Sequence, residues 1–209
     1  MTPLFPGPAY RILTPRLVIR CWNPADAPLL KAAVDASIAH LRPFMPWAAD
    51  EPTPLQTKID LLRRWRGYFD LGQDFFYAIF SRDETRVLGA SGLHTHLGPD
   101  AREIGYWIHA GFIHQGYAGE TAAALTRVAF EVDGLRRVEI HMAVENAPSA
   151  AVPRRLGYTH EATLPQRMLL SDGRYHDSMI WSLHVAAYPA SPCARAELQA
   201  FDSLGRQIL

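Results

Sequence analysis

The stretch from Phe75 to Glu131 constrains the fold more than any other. "FFYAIF" (Phe75–Phe80) and "RVLGASGLHTH" (Arg86–His96) read as two strands flanking the turn-like "SRDET". "REIGYWIH" (Arg102–His109) adds a third strand. The chain then enters "IHQGYAGETAAALTRVAFE" (Ile113–Glu131), where Gly116 and the small pair Ala118–Gly119 precede a helix predicted from about Gly119 to Val132. Strand character returns in "RRVEIHMAV" (Arg136–Val144). A strand, a glycine-marked junction, a helix and another strand, next to a hairpin, predict an α/β sheet with helices on its faces.

The flanking segments fit that frame. "RLVIR" (Arg16–Arg20) is a strand, and Asn23 before Pro24 predicts a capped helix start. "HLRPFMPWAADEP" (His40–Pro52) is interrupted by prolines and predicts a loop or broken helix. Leu55, Ile59, Leu62, Trp65 and Phe69 recur at helical spacing, giving a helix that reaches roughly Asp70. "NAPSAAVPRRLGY" predicts a short helix ending at Gly157, kinked or starting late because of Pro153. Two strands around "SDGR" follow. Residues 1–188 read as one domain, and 189–209 as a C-terminal tail with room for a short helix.

Composition narrows the function. Lys+Arg and Asp+Glu balance at 21 each, which argues against broad electrostatic binding to nucleic acid or acidic membranes. No apolar run approaches the ~20 residues of a membrane helix, and the first residues lack the apolar core of a secretory signal. A cytoplasmic protein is the expectation. Cys21 and Cys193 match no metal or redox spacing and read as free thiols. His94, His96, His109 and His114 lack a carboxylate or cysteine that would complete a metal set, so no metal is expected.

The Gly116 junction has two readings. Gly116 can simply make a turn. Alternatively, unpaired N–H groups at a helix start, with small residues beside them, form a cradle for an anionic group. The junction is neither a Walker loop nor a three-glycine dinucleotide fingerprint.

Five motifs in one order bear on the choice. These are "TPRLVIRCWNPADAPLL", "HLRPFMPWA", the Gly116 junction, "N-x-x-S-x-x-V-x-x-x-L-G-Y" (Asn146–Tyr158) and "GRYHDSMIWSL" (residues 173–183). Together, over about Tyr10 to His184, they resemble the GNAT N-acetyltransferase superfamily, and within it the RimJ/RimL-like branch. The resemblance implies an α/β (α+β) GNAT fold. Such a fold has a mixed, mostly antiparallel sheet of about seven strands, splayed in the middle and flanked by about four helices. It implies acetyl-CoA as donor, CoA as product, and an amine acceptor, either a protein or peptide α-amino group or a small amine. A homodimer is left open.

The resemblance also assigns residues. The family's loop pattern, Gln/Arg-x-x-Gly-x-Gly/Ala, falls on Ile113 to Ala118. Gly116 and Ala118 match, whereas Ile113 stands where Gln or Arg is usual and His114 where the branch usually has Gly. The pyrophosphate would lie on the backbone of His114, Gln115, Gly116, Tyr117, Ala118, Gly119 and Glu120. The pantetheine arm would lie along Trp107, Ile108 and His109, with Asn146 on its amide region. Asn146 reads equally as a helix cap. Glu103 is the expected base, its alternative being a surface carboxylate paired with Arg102 or Arg86. Many family members use a tyrosine seven residues after the asparagine as acid. Here that position is Pro153, leaving Ser149 beside the sulfur, or as a plain helix-start serine. Phe44, Met45, Trp47, Tyr68 and His94 are expected around the acceptor, and aromatic residues so spaced also suit a core. Asp50 and Glu51 could attract an amine. The same residues suit two other readings, a small-molecule (antibiotic or polyamine) acetyltransferase and a non-catalytic acyl-CoA-binding regulatory module.

Overall fold

In the computed structural model, which describes residues 7–209, two strands pair in parallel for only three residues and then part. They are β5 (Ala101–Ile108) and β6 (Arg137–Ala143), matched at Ala101–Arg137, Arg102–Val138 and Glu103–Glu139. Every other neighbouring pair is antiparallel. The remaining strands are β1 (Arg11–Leu13), β2 (Leu17–Cys21), β3 (Phe75–Ser81), β4 (Val87–His94), β7 (Thr159–Leu169), β8 (Tyr175–His184) and β9 (Gln199–Phe201). They form one sheet in the order β7-β8-β6-β5-β4-β3-β2-β1-β9. The helices are α1 (Ala27–Asp35), α2 (Ile38–Leu41), α3 (Leu55–Asp70), α4 (Tyr117–Glu131) and α5 (Ala147–Arg155).

Both faces of the central strands are covered, which is why "FFYAIF" is apolar throughout rather than alternating. Tyr77 and Ile79 of β3 pack with Leu125, Val128 and Ala129 of α4 in one core. Ala78 and Phe80 pack with Leu30 and Val34 of α1 and Leu62 of α3 in the other. The start of α1 is fixed as the sequence predicts. Asn23 accepts from the Ala25 N–H at 2.9 Å, while Asp26 accepts from the Asn23 N–H at 2.8 Å, around a short 3-10 turn at Pro24–Asp26.

The GNAT architecture expected from the resemblance is present, with a larger sheet. Nine strands occur among the described residues where about seven were expected, and five α-helices where about four were. The additions are short. β1 has three residues, too few for a pattern to register, and α2 has four. Residues 189–209 hold no α-helix. They make 3-10 turns at Tyr188–Ala190 and Pro192–Arg195 and then β9, which pairs with β1. Pro189 and Pro192 lack the N–H groups that a regular helix would use there. Cys193 and Ala200 are fully buried, so this segment packs into the core. Both cysteines are free and buried, and burial raises the Cys193 thiol to about 11. No helix of the described residues is long and apolar enough to cross a membrane. The reading of the first residues as lacking a secretory signal falls partly on residues 1–6, outside the described residues.

Gly89 marks a close approach between β4 and β5. A Cβ there would overlap the Trp107 carbonyl oxygen and sit 3.1 Å from Ile108 Cα, both main-chain atoms. Gly89→Ala should therefore force the β5 backbone away and lower stability by about 1–3 kcal/mol. A shift of the urea midpoint at unchanged slope is the check.

Candidate active site

The parting of β5 and β6 opens a cavity of about 460 Å³. Glu103, Gly105, Tyr106 and Trp107 of β5 line it, with His141 and Met142 of β6 and Asn146 and Ser149 around the start of α5. Phe44, Met45, Trp47 and His94, which the sequence reading expects around an acceptor, also line it. Tyr68 does not. It lies one turn beyond Trp65, the last residue of α3 to line the cavity, and is 43% exposed; Trp65 and Leu61 form that wall instead.

Glu103 is not paired with Arg102 or Arg86. Arg102 turns to the Gly98 and Ala101 carbonyls, and Glu103 Oε2 lies 3.1 Å from both His141 Nδ1 and His96 Nε2. His141 Nε2 in turn lies 2.6 Å from Glu139 Oε2, and Glu139 Oε1 is 2.6 Å from Arg137 Nε. The His141 ring therefore stands between two carboxylates, one at each nitrogen. His141 thereby holds Glu103 in place from behind. Sequence reading passed over His141, although Arg137, Glu139 and His141 alternate with Val138, Ile140 and Met142, the period of a strand with one polar face.

His94 is the last residue of β4, and its ring lies 6.4 Å from that of His96. Its Nδ1 lies 3.1–3.2 Å from the Asp74 carboxylate, and its ring stands over Gly92 and Gly105. Ser149 meets a phenol that sequence reading did not supply. Tyr106 Oη is 3.1 Å from Ser149 Oγ and donates to the Ser149 carbonyl at 3.2 Å. Burial holds the Tyr106 phenol up at about 12, with the hydrogen bond to Ser149 acting the other way. Asn146 caps α5, accepting from the Ser149 N–H at 3.2 Å, and also lines the cavity. The helix starts directly after Asn146 rather than late, and Pro153 falls in its closing turn.

Beyond Trp107 the chain leads to the Gly116 junction. His114 (φ 61°) and Gly116 (φ 82°) are both left-handed, a conformation that glycine adopts freely and histidine does not. Among the described residues, no main-chain N–H from His114 to Gly119 donates a hydrogen bond. Successive N–H groups left free at a left-handed turn into a helix suit an anion. The helix begins earlier than expected, so Tyr117, Ala118 and Gly119 form its first turn. Of the positions expected at the pyrophosphate, Glu120 falls outside this donor set, and two of the three expected along the arm stand away from the cavity. The Glu120 N–H is taken by the Gly116 carbonyl at 3.0 Å, and its carboxylate binds Thr14 Oγ1 (2.5 Å) and Arg16 Nε (2.6 Å). The His109 N–H is taken by the Leu88 carbonyl, its own carbonyl by Phe112, and neither His109 nor Ile108 lines the cavity.

Arg16 is a further residue that sequence reading missed. Its Nη1 donates to the Gln115 carbonyl at 2.9 Å, and its guanidinium lies 4.6 Å from the centroid of the Tyr117 ring. A cation thus reaches the loop from the β1–β2 turn, where Ile113 offers none. The signal was the departure at Ile113 itself. Glu51 is likewise not a loose loop acid. It is buried against Lys58 and accepts from Thr53 N at 2.8 Å and Thr53 Oγ1 at 3.1 Å. Asp50 is exposed. Among the described residues no cluster of three or more His, Cys, Asp or Glu is arranged to hold a metal ion.

Residues 16–159 match the model of the acetyltransferase (GNAT) domain family. YdaF of Bacillus subtilis (strain 168), provisionally named a ribosomal N-acetyltransferase, is 38% identical over 170 residues, which is 80% of this chain and 90% of that protein. RimL, a ribosomal-protein alpha-N-acetyltransferase solved with coenzyme A, superposes with a TM-score of 0.74 at 26% identity, over 83% of this chain and 97% of that one. An acetyltransferase of Salmonella typhimurium that modifies the N-terminal serine of a 50S ribosomal subunit protein gives a TM-score of 0.69 at 26% identity, over 83% and 99%.

The buried Glu51–Lys58 pair on the cavity wall gives an ordering of stabilities. Glu51→Leu strands an ammonium and should cost about 3–5 kcal/mol. Lys58→Met should cost less, because Glu51 keeps its two bonds from Thr53. Urea unfolding of the two variants measures the order.

Proposed function

The chain belongs to the acetyltransferase (GNAT) domain family, and from that we propose that it transfers the acetyl group of acetyl-CoA to a primary amine, specifically the α-amino group of a protein or peptide. One observation carries the donor half of the proposal. The partnerless amides from His114 to Gly119 lie at the end of a strand whose unpaired edge runs into the cavity holding Glu103 and Ser149. A donor with a diphosphate at one end and a thioester at the other fits that layout. Support for the acceptor comes from YdaF and RimL, whose names place them on ribosomal proteins.

Bound there, acetyl-CoA supplies an acetyl group activated as a thioester. The amides of His114 to Gly119 would hold its diphosphate, with Arg16 beside them. The β5 edge from Ile104 to Trp107 would align its arm, and Asn146 would face the amide region. Glu103, fixed by His141, accepts the proton of the attacking amine directly or through water. His96, 58% exposed and 3.1 Å from Glu103, offers that proton a way to solvent. Ser149 donates a hydrogen bond to the departing sulfur. In net terms the nitrogen gives one proton to Glu103, which passes it to solvent, and the departing thiolate takes one from water. His94 is a second base, since Asp74 at Nδ1 leaves Nε2 on the cavity side.

Three measurements bear on this. Thiol release from acetyl-CoA should appear with peptides bearing a free α-amino group and vanish when that group is blocked. A response to polyamines or aminoglycosides alone would reassign the acceptor, and donor binding without turnover on any amine would favour a regulatory module. Gly116→Val puts a β-branched residue at φ 82°, a strain of roughly 1–3 kcal/mol. Its acetyl-CoA Kd should rise about 5- to 150-fold, and calorimetry showing parent affinity would remove the loop from the site. Glu103→Gln should lose most rate well below the pKa of an α-amino group, about 8, where the amine arrives protonated. A loss that is flat with pH would assign Glu103 a structural role and leave His94 as base.

A further inference from the structure

We infer that Tyr106 is a positioning residue for the departing sulfur: its hydroxyl braces the hydroxyl of Ser149, in a slot that Pro153 opens by withholding a helical N–H. This rests on the acetyl-transfer reading above and adds to it a residue with a role of its own.

Pro153 lies within α5. In a regular helix the residue at that position donates to the carbonyl four residues back, which is Ser149. Proline has no N–H to give. A carbonyl left bare inside the protein is costly and is filled where a donor can reach. The Tyr106 hydroxyl reaches it from β5, 3.2 Å from Ser149 O, and at the same time stands 3.1 Å from Ser149 Oγ. One phenol proton therefore faces two acceptors at nearly equal distance.

The two settings of that proton differ in what Ser149 can do. With the phenol donating to the carbonyl, the serine hydroxyl donates to the phenol oxygen and its proton is turned from the cavity. With the phenol donating to Oγ, the serine proton is released to point into the cavity, and the Ser149 carbonyl gives up its donor, a cost that the new bond to the sulfur offsets. Passing between them needs a hydroxyl to rotate and no side chain to move. In the second setting the phenol, the serine hydroxyl and the sulfur form a row of donors, and each bond polarises the next. A phenol is protonated and able to donate near neutral pH, and burial here raises it further, to about 12. Asn146 keeps the serine main chain still by accepting its N–H at 3.2 Å. Hydrogen bonds alone are exchanged, so neither residue is consumed.

The test is a set of variants assayed with acetyl-CoA and an acceptor found in the screen above. Tyr106→Phe should lower kcat about tenfold or more, a fraction of the roughly 100- to 10,000-fold a positioned acid supplies, with KM for acetyl-CoA within about twofold. Added to Ser149→Ala, the same change should cost less than about twofold, because residues that act through one another are not additive. Pro153→Ala returns an N–H to the Ser149 carbonyl and relieves the phenol of that acceptor. Combined with Tyr106→Phe it should leave the rate low. Recovery to the parent rate would mean that Tyr106 only satisfied a bare carbonyl, and would overturn the inference. So would an unchanged kcat in Tyr106→Phe, or a full additional loss in the Ser149→Ala background. The double variant has the carbonyl satisfied, so it reports even where Tyr106→Phe alone folds poorly. A parent that binds acetyl-CoA but acetylates no amine overturns the transfer reading and this inference together, whereas an active parent with an indifferent Tyr106 overturns only the latter.

Discussion

Three residue pairs between β5 and β6 set the terms for the rest of the molecule. A longer parallel pairing would have used both edges of β5 and closed the sheet. Parting after Glu103–Glu139 leaves the edge from Ile104 onward unpaired on the β6 side while β4 still holds its other edge through Ile108. The cavity opens in that gap, its polar residues come from the strands on either side of it, and the strand leads out of it to the free amides before α4. Pairing on the outer edge of β6 with β8, from Arg137 to Ala143, keeps the splayed strand from collapsing back.

Glycines serve this arrangement in different ways. Gly89 lets the β5 main chain bend in over β4, and Gly92 and Gly105 make a flat floor for the His94 ring. Gly116 is needed for its backbone angle rather than for space, since a Cβ there would meet no more than Arg16 Nη2, at an ordinary 3.5 Å. Charged groups near the site are each tied to a partner. Glu120 is held by Thr14 and Arg16, Glu51 by Lys58 and Thr53, and Glu103 by two histidines. A carboxylate tied in this way is held in one orientation, which a loose surface acid is not.

The longer elements were legible because their signals are local and repeated. The α3 spacing, the Asn23–Pro24 start and the hairpin around "SRDET" each use neighbours within a few residues. β1, with three residues, and β9, beyond two prolines, carry no such repetition; β1 is held between β2 and β9, and β9 by its pairing with β1. The same limit governed the site. Glu103, Ser149 and Gly116 were picked out by their place in motifs, and four of the five residues expected around the acceptor, Phe44, Met45, Trp47 and His94, line the cavity. Tyr68 missed because it stands one turn beyond Trp65, where the α3 wall of the cavity ends.

The sequence by itself determined the order of strands and helices, the glycine junction before α4, and the family to which these belong, since each is encoded in short-range spacing and turn chemistry. Only the tertiary structure decided that Tyr106 meets Ser149, 43 residues away, that His141 stands behind Glu103, and that Arg16 reaches across to Gln115 and Glu120. Those contacts join residues far apart in the chain, and their geometry follows from sheet register and from where β5 and β6 separate, which no local pattern records.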